Sequence, residues 1–175
     1  VNIFVTDRDP VKSAQVLPDK HVVKMPLETC QMLSIIYSKW YYNWGDLHKK
    51  DGTPYFTEKG GFRNHPCTVW AAQNHYNTAW LIQHGCALSR EYTHRYGKIH
   101  GCAETLFEAK RIFHQKADKA IVCCHMATDF ARAMFDEFKH DDTIDTLTAY
   151  KKYIAAKPWV KDNYLRDPTR KPSWV

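Results

Sequence analysis

The sequence predicts an all-α fold: a compact single-domain helical bundle with a long central helix, one long glycine-rich loop and an aromatic, basic C-terminal tail. Three observations carry this. Apolar residues in the longest stretches recur at spacings of three and four, the period of a helix with one buried face. Cap and stop residues punctuate those stretches. Runs of alternating residues long enough to build a sheet are missing. The 175 residues, 44% hydrophobic and 25% charged, suffice for one core, and no linker or repeat divides them, so residues 1–175 read as a single domain.

The elements follow in order. VNIFVTDR, residues 1–8, alternates weakly and reads as a short extended arm. Asp9-Pro10 pairs a capping residue with a favoured first helical residue, predicting a short helix over 10–16. Pro18-Asp19 opens a second helix that should run to about Tyr41, with Val22, Val23, Leu27, Cys30, Leu33, Ile36 and Tyr37 giving it an apolar face. Pro26 lies inside it and predicts a kink or an early break. His21 and Glu28, seven residues apart, share one face of that helix if it continues. Residues 43–64 hold four of the seven glycines and read as a loop with a short hairpin. One long helix is expected from Pro66 to Tyr96, with Trp70, Trp80, Leu81 and Leu88 on its buried stripe and Gly97 as its stop. Residues 102–116 read as another helix, and 118–138 as one or two more. A last helix starts at Asp142-Thr143 and ends at Lys157-Pro158, before the tail WVKDNYLRDPTRKPSWV.

No apolar run approaches the ~18 residues of a membrane span, and VNIFVTDRDP is too charged for a signal peptide. A soluble, cytoplasmic protein with no membrane partner is expected. The six cysteines form no Cys-x-x-Cys pair and read as reduced, mostly buried thiols. Cys123-Cys124-His125 offers adjacent side chains that diverge, so no metal and no cofactor are expected. The net charge of +6, with aromatic residues at 14%, suits a nucleic-acid partner, since phosphates take charge and bases stack on rings; an aromatic core in a moderately basic domain fits equally. The chain lacks a phosphate-binding glycine loop, a Gly-x-Ser-x-Gly elbow and a His-Glu-x-x-His motif, which removes the usual markers of nucleotide hydrolases, esterases and zinc proteases.

What remains is a colinear set. Val1 offers an amine. Leu17-Pro18-Asp19-Lys20-His21 is followed by Glu28, then by Asn64-His65-Pro66 at a helix start. Glu91, His94 and Arg95 come late in that helix, and Ile154-Ala155-Ala156-Lys157-Pro158-Trp159 precedes Lys161 and Tyr164. This order resembles the small all-α pyrimidine-dimer DNA glycosylases of phages, the endonuclease V-like family. That family carries Leu-x-Asp-x-His with a glutamate seven residues on, and a terminal Ile-Ala-x-Arg-Pro-x-Trp. The chain is also similar to a group of phage proteins sharing Asp-Lys-His-Val-Val-Lys-Met and Arg-Tyr-Gly-Lys-x-His, here residues 19–25 and 95–100.

The resemblance implies a monomeric, phage-encoded DNA glycosylase/AP lyase. It would act on damaged or modified pyrimidines in double-stranded DNA, with the target nucleotide flipped out. The α-amine of Val1 would attack the sugar's anomeric carbon and form a Schiff base; its reference pKa of about 7.7–8.0 leaves a useful unprotonated fraction. Glu28 would manage protons at the sugar and His21 would position substrate or backbone. Lys24, Arg8, Arg63, His65, Arg95, Lys98, Lys157, Trp159, Lys161 and Tyr164 form the expected DNA-binding set. Leu27 and Gln31 stand where the family has arginines on DNA phosphates, and Lys24, Arg8, Arg63 and Lys98 replace them by charge. Apart from the resemblance, Glu91 and Arg95 read as a surface ion pair, His94 and His100 as surface residues, and Trp159, Tyr164 and Trp174 as anchors of the tail. Two other functions fit the same residues: a base- or nucleotide-modifying transferase that leaves the strand intact, and a non-catalytic DNA-binding module.

Overall fold

The computed structural model describes residues 1–117 and 124–175, the Cys124 side chain excepted. It is all-α. Seven α-helices are present among the described residues: α1 (Pro10–Gln15), α2 (Asp19–Tyr37), α3 (Pro66–Ala72), α4 (His75–Tyr96), α5 (Ala103–Lys116), α6 (Asp136–Lys139) and α7 (Thr146–Ala155). Helix α4 is the centre of the bundle and packs against α1, α2, α3 and α5. Its Trp80 is fully buried, stacks on His84 at 4.7 Å, and meets Trp70 and Phe130 edge-on. The indole N–H donates to the Arg8 carbonyl at 2.8 Å, so the buried ring leaves no polar atom unpaired and ties the arm to α4.

Local chemistry sets the helix ends. The Asp9 carboxylate accepts from the Val11 and Lys12 amides and starts α1. Helix α2 is capped from the far end of the chain: the Asn163 carbonyl and side-chain oxygen accept from the Asp19 and Lys20 amides at 2.7 and 2.8 Å. Gly97 adopts φ +66° and closes α4, a conformation that costs glycine nothing.

Five expectations need correction. Helix α2 stops at Tyr37 rather than Tyr41. The Tyr42 and Trp44 amides fold back onto the Ile36 and Tyr37 carbonyls, through a left-handed Asn43. Pro26 does not break α2, which runs through it. The expected long helix is two, because Asn74 is extended and its side chain caps α4 through the Asn77 amide. The freed α3 carbonyls are then satisfied by α4 side chains: Asn77 donates to Trp70 O at 2.8 Å and Thr78 to Ala71 O at 2.7 Å. Of the helices expected in 118–138, residues 118–123 lie outside the described residues. The remainder holds a 3-10 turn (Cys124–Met126) and α6. Residues 131–133 are instead pinned by the Tyr150 hydroxyl, which donates to Ala131 O and accepts from the Ala133 amide. Helix α7 starts with Asp145 as its cap, since Asp141 is used in a separate turn with Thr143. Residues 43–64 form the expected loop with its short hairpin, one antiparallel bridge from His48 to Pro54 flanked by the Lys49 and Tyr55 amides donating to the Thr53 and Leu47 carbonyls.

Candidate active site

Helix α2 supplies one wall of a cavity of about 450 Å3, a volume within the range of small-ligand pockets. Lys20, His21, Lys24, Met25 and Glu28 line it, as the spacing of His21 and Glu28 requires. The extended arm crosses this face and adds Val1, Asn2 and Phe4. The end of α7 and the turn beyond it add Tyr153, Lys157 and Trp159. Three lysines and a single carboxylate thus share the cavity with four rings, those of Phe4, His21, Tyr153 and Trp159, and with Val1.

The arm is held by its own side chains. Asn2 Oδ1 accepts from the Ile3 and Phe4 amides at 2.7 and 3.2 Å, and its Nδ2 donates to the Ala133 carbonyl at 2.8 Å. Phe4 is left-handed at φ +42°, an unusual conformation for a bulky residue, and the Asn2 contact holds it there. Its ring stacks on His21 at 4.1 Å and lies parallel to Tyr153 at 5.9 Å. The strain is therefore spent on covering His21 and fixing where Val1 begins.

His21 is buried, and its Nδ1 has no hydrogen-bond partner. Burial first, then the Lys157 and Lys24 ammoniums, bring its pKa down to about 3. It is a neutral imidazole at physiological pH, able to hydrogen-bond but not to pair with a phosphate as a cation. Glu28 is also buried and pairs with Lys24 at 3.2 Å. The Lys157 ammonium sits 4.5 Å from the Tyr153 ring centre, 5.6 Å from Phe4 and 5.7 Å from Trp159. Burial and the nearby Lys24 charge lower its pKa. Lys20 covers the Trp159 ring at 4.4 Å. His65 caps α3 at the border of this region, and burial lowers its pKa. The Val1 amine and the Lys139 ammonium act on it in the same direction and Glu28 in the opposite one.

Of the thirteen expected site residues, the structure gathers Val1, His21, Lys24, Glu28, Lys157 and Trp159 around this cavity. Others lie apart. Arg8 donates to Ala127 O and covers Phe130, lining a different cavity. Arg63 is held by the Lys59 and Gly60 carbonyls over Trp40. Lys98 and Lys161 are exposed, away from the cavity wall.

Arg95 and Tyr164 are corrections. The Arg95 guanidinium is fully buried, bonded to Glu91, Asp19 and the Gln15 and Leu17 carbonyls, so it has no face left for a phosphate. Glu91 is buried with it and is shared with Arg170 at 2.9 Å, which overturns the surface ion pair. Tyr164 is buried, and its hydroxyl donates to the Val16 carbonyl at 2.6 Å. His94 binds Asp167 and half-buried His100 binds the Val23 carbonyl, so both serve the framework. The sequence reading missed Asn2, Phe4, Lys20 and Tyr153. Only Tyr153 had a local signal, four residues before Lys157.

An all-α domain thus gathers Val1, one carboxylate and three lysines around a single ring-lined cavity. The chain belongs to the pyrimidine dimer DNA glycosylase family, whose model matches residues 1–104. The match takes in α1 to α4, with Val1, His21 and Glu28, and leaves Lys157 and Trp159 beyond it. No curated protein and no solved structure matches the chain. Among the described residues no helix is long and apolar enough to cross a membrane.

Proposed function

We propose that the protein is a DNA glycosylase/AP lyase for damaged or modified pyrimidines, with the Val1 α-amine as nucleophile and Glu28 as proton handler. The observation that carries this reading is that Val1 and Glu28, both inside the stretch that matches the family, line one cavity with Lys20, Lys24 and Lys157. With Val1 as the first residue of the processed chain, its amine attacks C1′ of a flipped nucleotide. The N–C1′ bond forms as the glycosidic bond breaks and the base leaves. The base departs with a proton from the amine, and the C1′–O4′ bond then opens, O4′ taking a proton from solvent, to give the iminium; Glu28 removes the C2′ proton and the C3′–O bond breaks, releasing the 3′-phosphate. Lys20, Lys24 and Lys157 hold phosphates, and Trp159 offers a face for a base. Neutral His21, stacked under Phe4, positions the sugar or the strand as part of the cavity wall and carries no charge to a phosphate.

Borohydride trapping on DNA containing an abasic site tests this. The expected result is a covalent adduct that maps to Val1 and disappears when the chain keeps an extra N-terminal methionine. Glu28→Gln should still bind the DNA but lose about 100- to 10,000-fold in turnover, the usual worth of general acid–base catalysis. An adduct of unchanged yield on an N-terminally blocked chain overturns the amine mechanism.

One observation favours a second reading. Leu27 and Gln31 line a separate cavity of about 440 Å3 with Phe56 and Phe62, so that wall differs chemically from an arginine clamp on phosphates. A base-modifying enzyme that leaves the strand intact fits that difference. It predicts an altered nucleoside in DNA from cells expressing the gene, and an unchanged nucleoside mass profile excludes it.

A further inference from the structure

A cavity of about 330 Å3 opens between α4 and α5 and shares no residue with the candidate active site. Helix periodicity builds it. Ala79, Ile82, Cys86 and Arg90 are three or four residues apart and form one stripe of α4; Lys110, Phe113 and His114 form another on α5. The short side chains of Ala79 and Cys86 leave space that longer ones would fill. The floor is apolar and buried, made by Ala79, Ile82, Cys86 and Phe113. Val11 of α1 adds an exposed apolar edge. The volume lies at the small end of the range for organic ligands.

The rim has the opposite chemistry. Arg90, Lys110 and His114 are exposed there, and among the described residues no carboxylate lines the cavity. The Arg90 and Lys110 head groups have no hydrogen-bond or ion-pair partner among the described residues. Burial raises the pKa of the Cys86 thiol, and the Lys110 and Arg90 charges oppose it, the sign a positive field over the floor would give. The cavity of Arg8 and Arg132 differs, because Asp129 and Asp145 line it as well. An inorganic anion would meet these bare cations and leave the apolar floor unfilled. A neutral apolar molecule would fill the floor and gain nothing from the cations. A duplex would reach the rim with its phosphates, but its backbone is too thick for a cleft between two packed helices.

We propose that this cleft binds a small amphipathic anion, its apolar body seated on Ala79, Ile82, Cys86 and Phe113 and its carboxylate or phosphate head held by Arg90 and Lys110. The Arg90 guanidinium can offer paired N–H donors to two oxygens of the head, and the Lys110 ammonium adds a second charge. The floor supplies affinity through buried apolar area, and the rim supplies the choice of an anion over a neutral or cationic analogue. The site stands independently of the glycosylase reading.

The test titrates the full chain with octanoate, octyl phosphate, 1-octanol, octylammonium and sodium phosphate by isothermal calorimetry. Octanoate or octyl phosphate should saturate a single site, and the tighter of the two identifies the head group. Octanol and octylammonium should bind at least about tenfold more weakly, since one charge-assisted contact is worth that factor. Lengthening the acid from hexanoate to octanoate should tighten binding by about three- to fourfold per methylene. Arg90→Glu and Lys110→Glu change exposed residues and should each weaken octanoate by about tenfold or more. Cys86 reports the location: saturating octanoate should slow its modification by methyl methanethiosulfonate and leave the rate of Cys67, which lies outside the cavity, unchanged. The ligand series and the Cys86 rate use the unaltered chain, so they stand even if a variant fails to fold. Octanol binding as tightly as both anions, sodium phosphate binding as tightly as octyl phosphate, or an unprotected Cys86 overturns the proposal. Failure of both octyl anions to saturate does so too, and a duplex oligonucleotide whose binding alone responds to the two charge reversals would give Arg90 and Lys110 to a nucleic-acid surface instead.

Discussion

Acid should weaken this protein well before its carboxylates titrate, and His21 should carry about half of the effect. His21 and His84 are both buried, and burial lowers their pKa from the ordinary 6.5 to about 3 and about 4. Between those values and 6.5 the unfolded chain binds more protons than the folded one, so stability is lost as pH falls. From about pH 7 to about pH 5 each imidazole costs about 2 kcal/mol, since 1.5 units below its unfolded pKa is worth about 1.36 kcal/mol per unit. The pair together costs about 4 kcal/mol, a large share of a stability of about 5–15 kcal/mol. His100 acts in the opposite direction: burial alone would lower its pKa, but the Cys102 thiol and the Val23 carbonyl raise it. Its contribution, like that of His84, cancels when the unaltered protein is compared with His21→Gln. The assay is urea unfolding of both proteins at the two pH values. The variant should lose about 2 kcal/mol less than the unaltered protein on acidification. An equal loss in both proteins would refute the argument that His21 is buried and neutral.

Three further outcomes are expected. Arg95→Met should destabilise the protein by about 3–5 kcal/mol in chemical denaturation, because it leaves Glu91 and Asp19 buried beside fewer partners. Gly85→Ala should lower the melting temperature: overpacking against Thr29 and Leu106 costs about 1–3 kcal/mol, against a helix-propensity gain of about 1 kcal/mol. Lys157→Gln should weaken DNA binding and lower the salt dependence of affinity by about one unit of slope, measured by fluorescence anisotropy across a salt series.

Much of this molecule was written in local sequence, and the exceptions share a cause. The spacing of His21 and Glu28 placed both on one face of α2, and Asp9-Pro10 placed the start of α1. Asn74 also carried a readable signal, a capping residue three before Asn77, but the long apolar stripe on either side hid it. Other features had no local signature. Glu91 and Arg95 look like any exposed pair four residues apart until Arg170, 79 residues from Glu91, closes over them. The cavity's third wall comes from Tyr153, Lys157 and Trp159 at the opposite end of the chain. Asn2 fixes the arm by reaching Ala133, a contact across 131 residues. Local spacing fixes which face of a helix a residue occupies, whereas the segment that covers that face is set by long-range packing.

The cap on α2 has a consequence for synthesis. Lys20 and its partner Asn163 are 143 residues apart, and the Asp19 carboxylate waits for the Leu165 and Arg166 amides. A ribosome releases His21 and Glu28 well over a hundred residues before their cap, so a nascent chain carries the wall of its cavity without the clasp that sets the helix's first turn. The clasp on α2 should form only after residue 166 has emerged, whatever the speed of the helices themselves. Chains truncated after residue 156 should accordingly show helical circular dichroism but no protection of the Asp19 and Lys20 amides in hydrogen exchange.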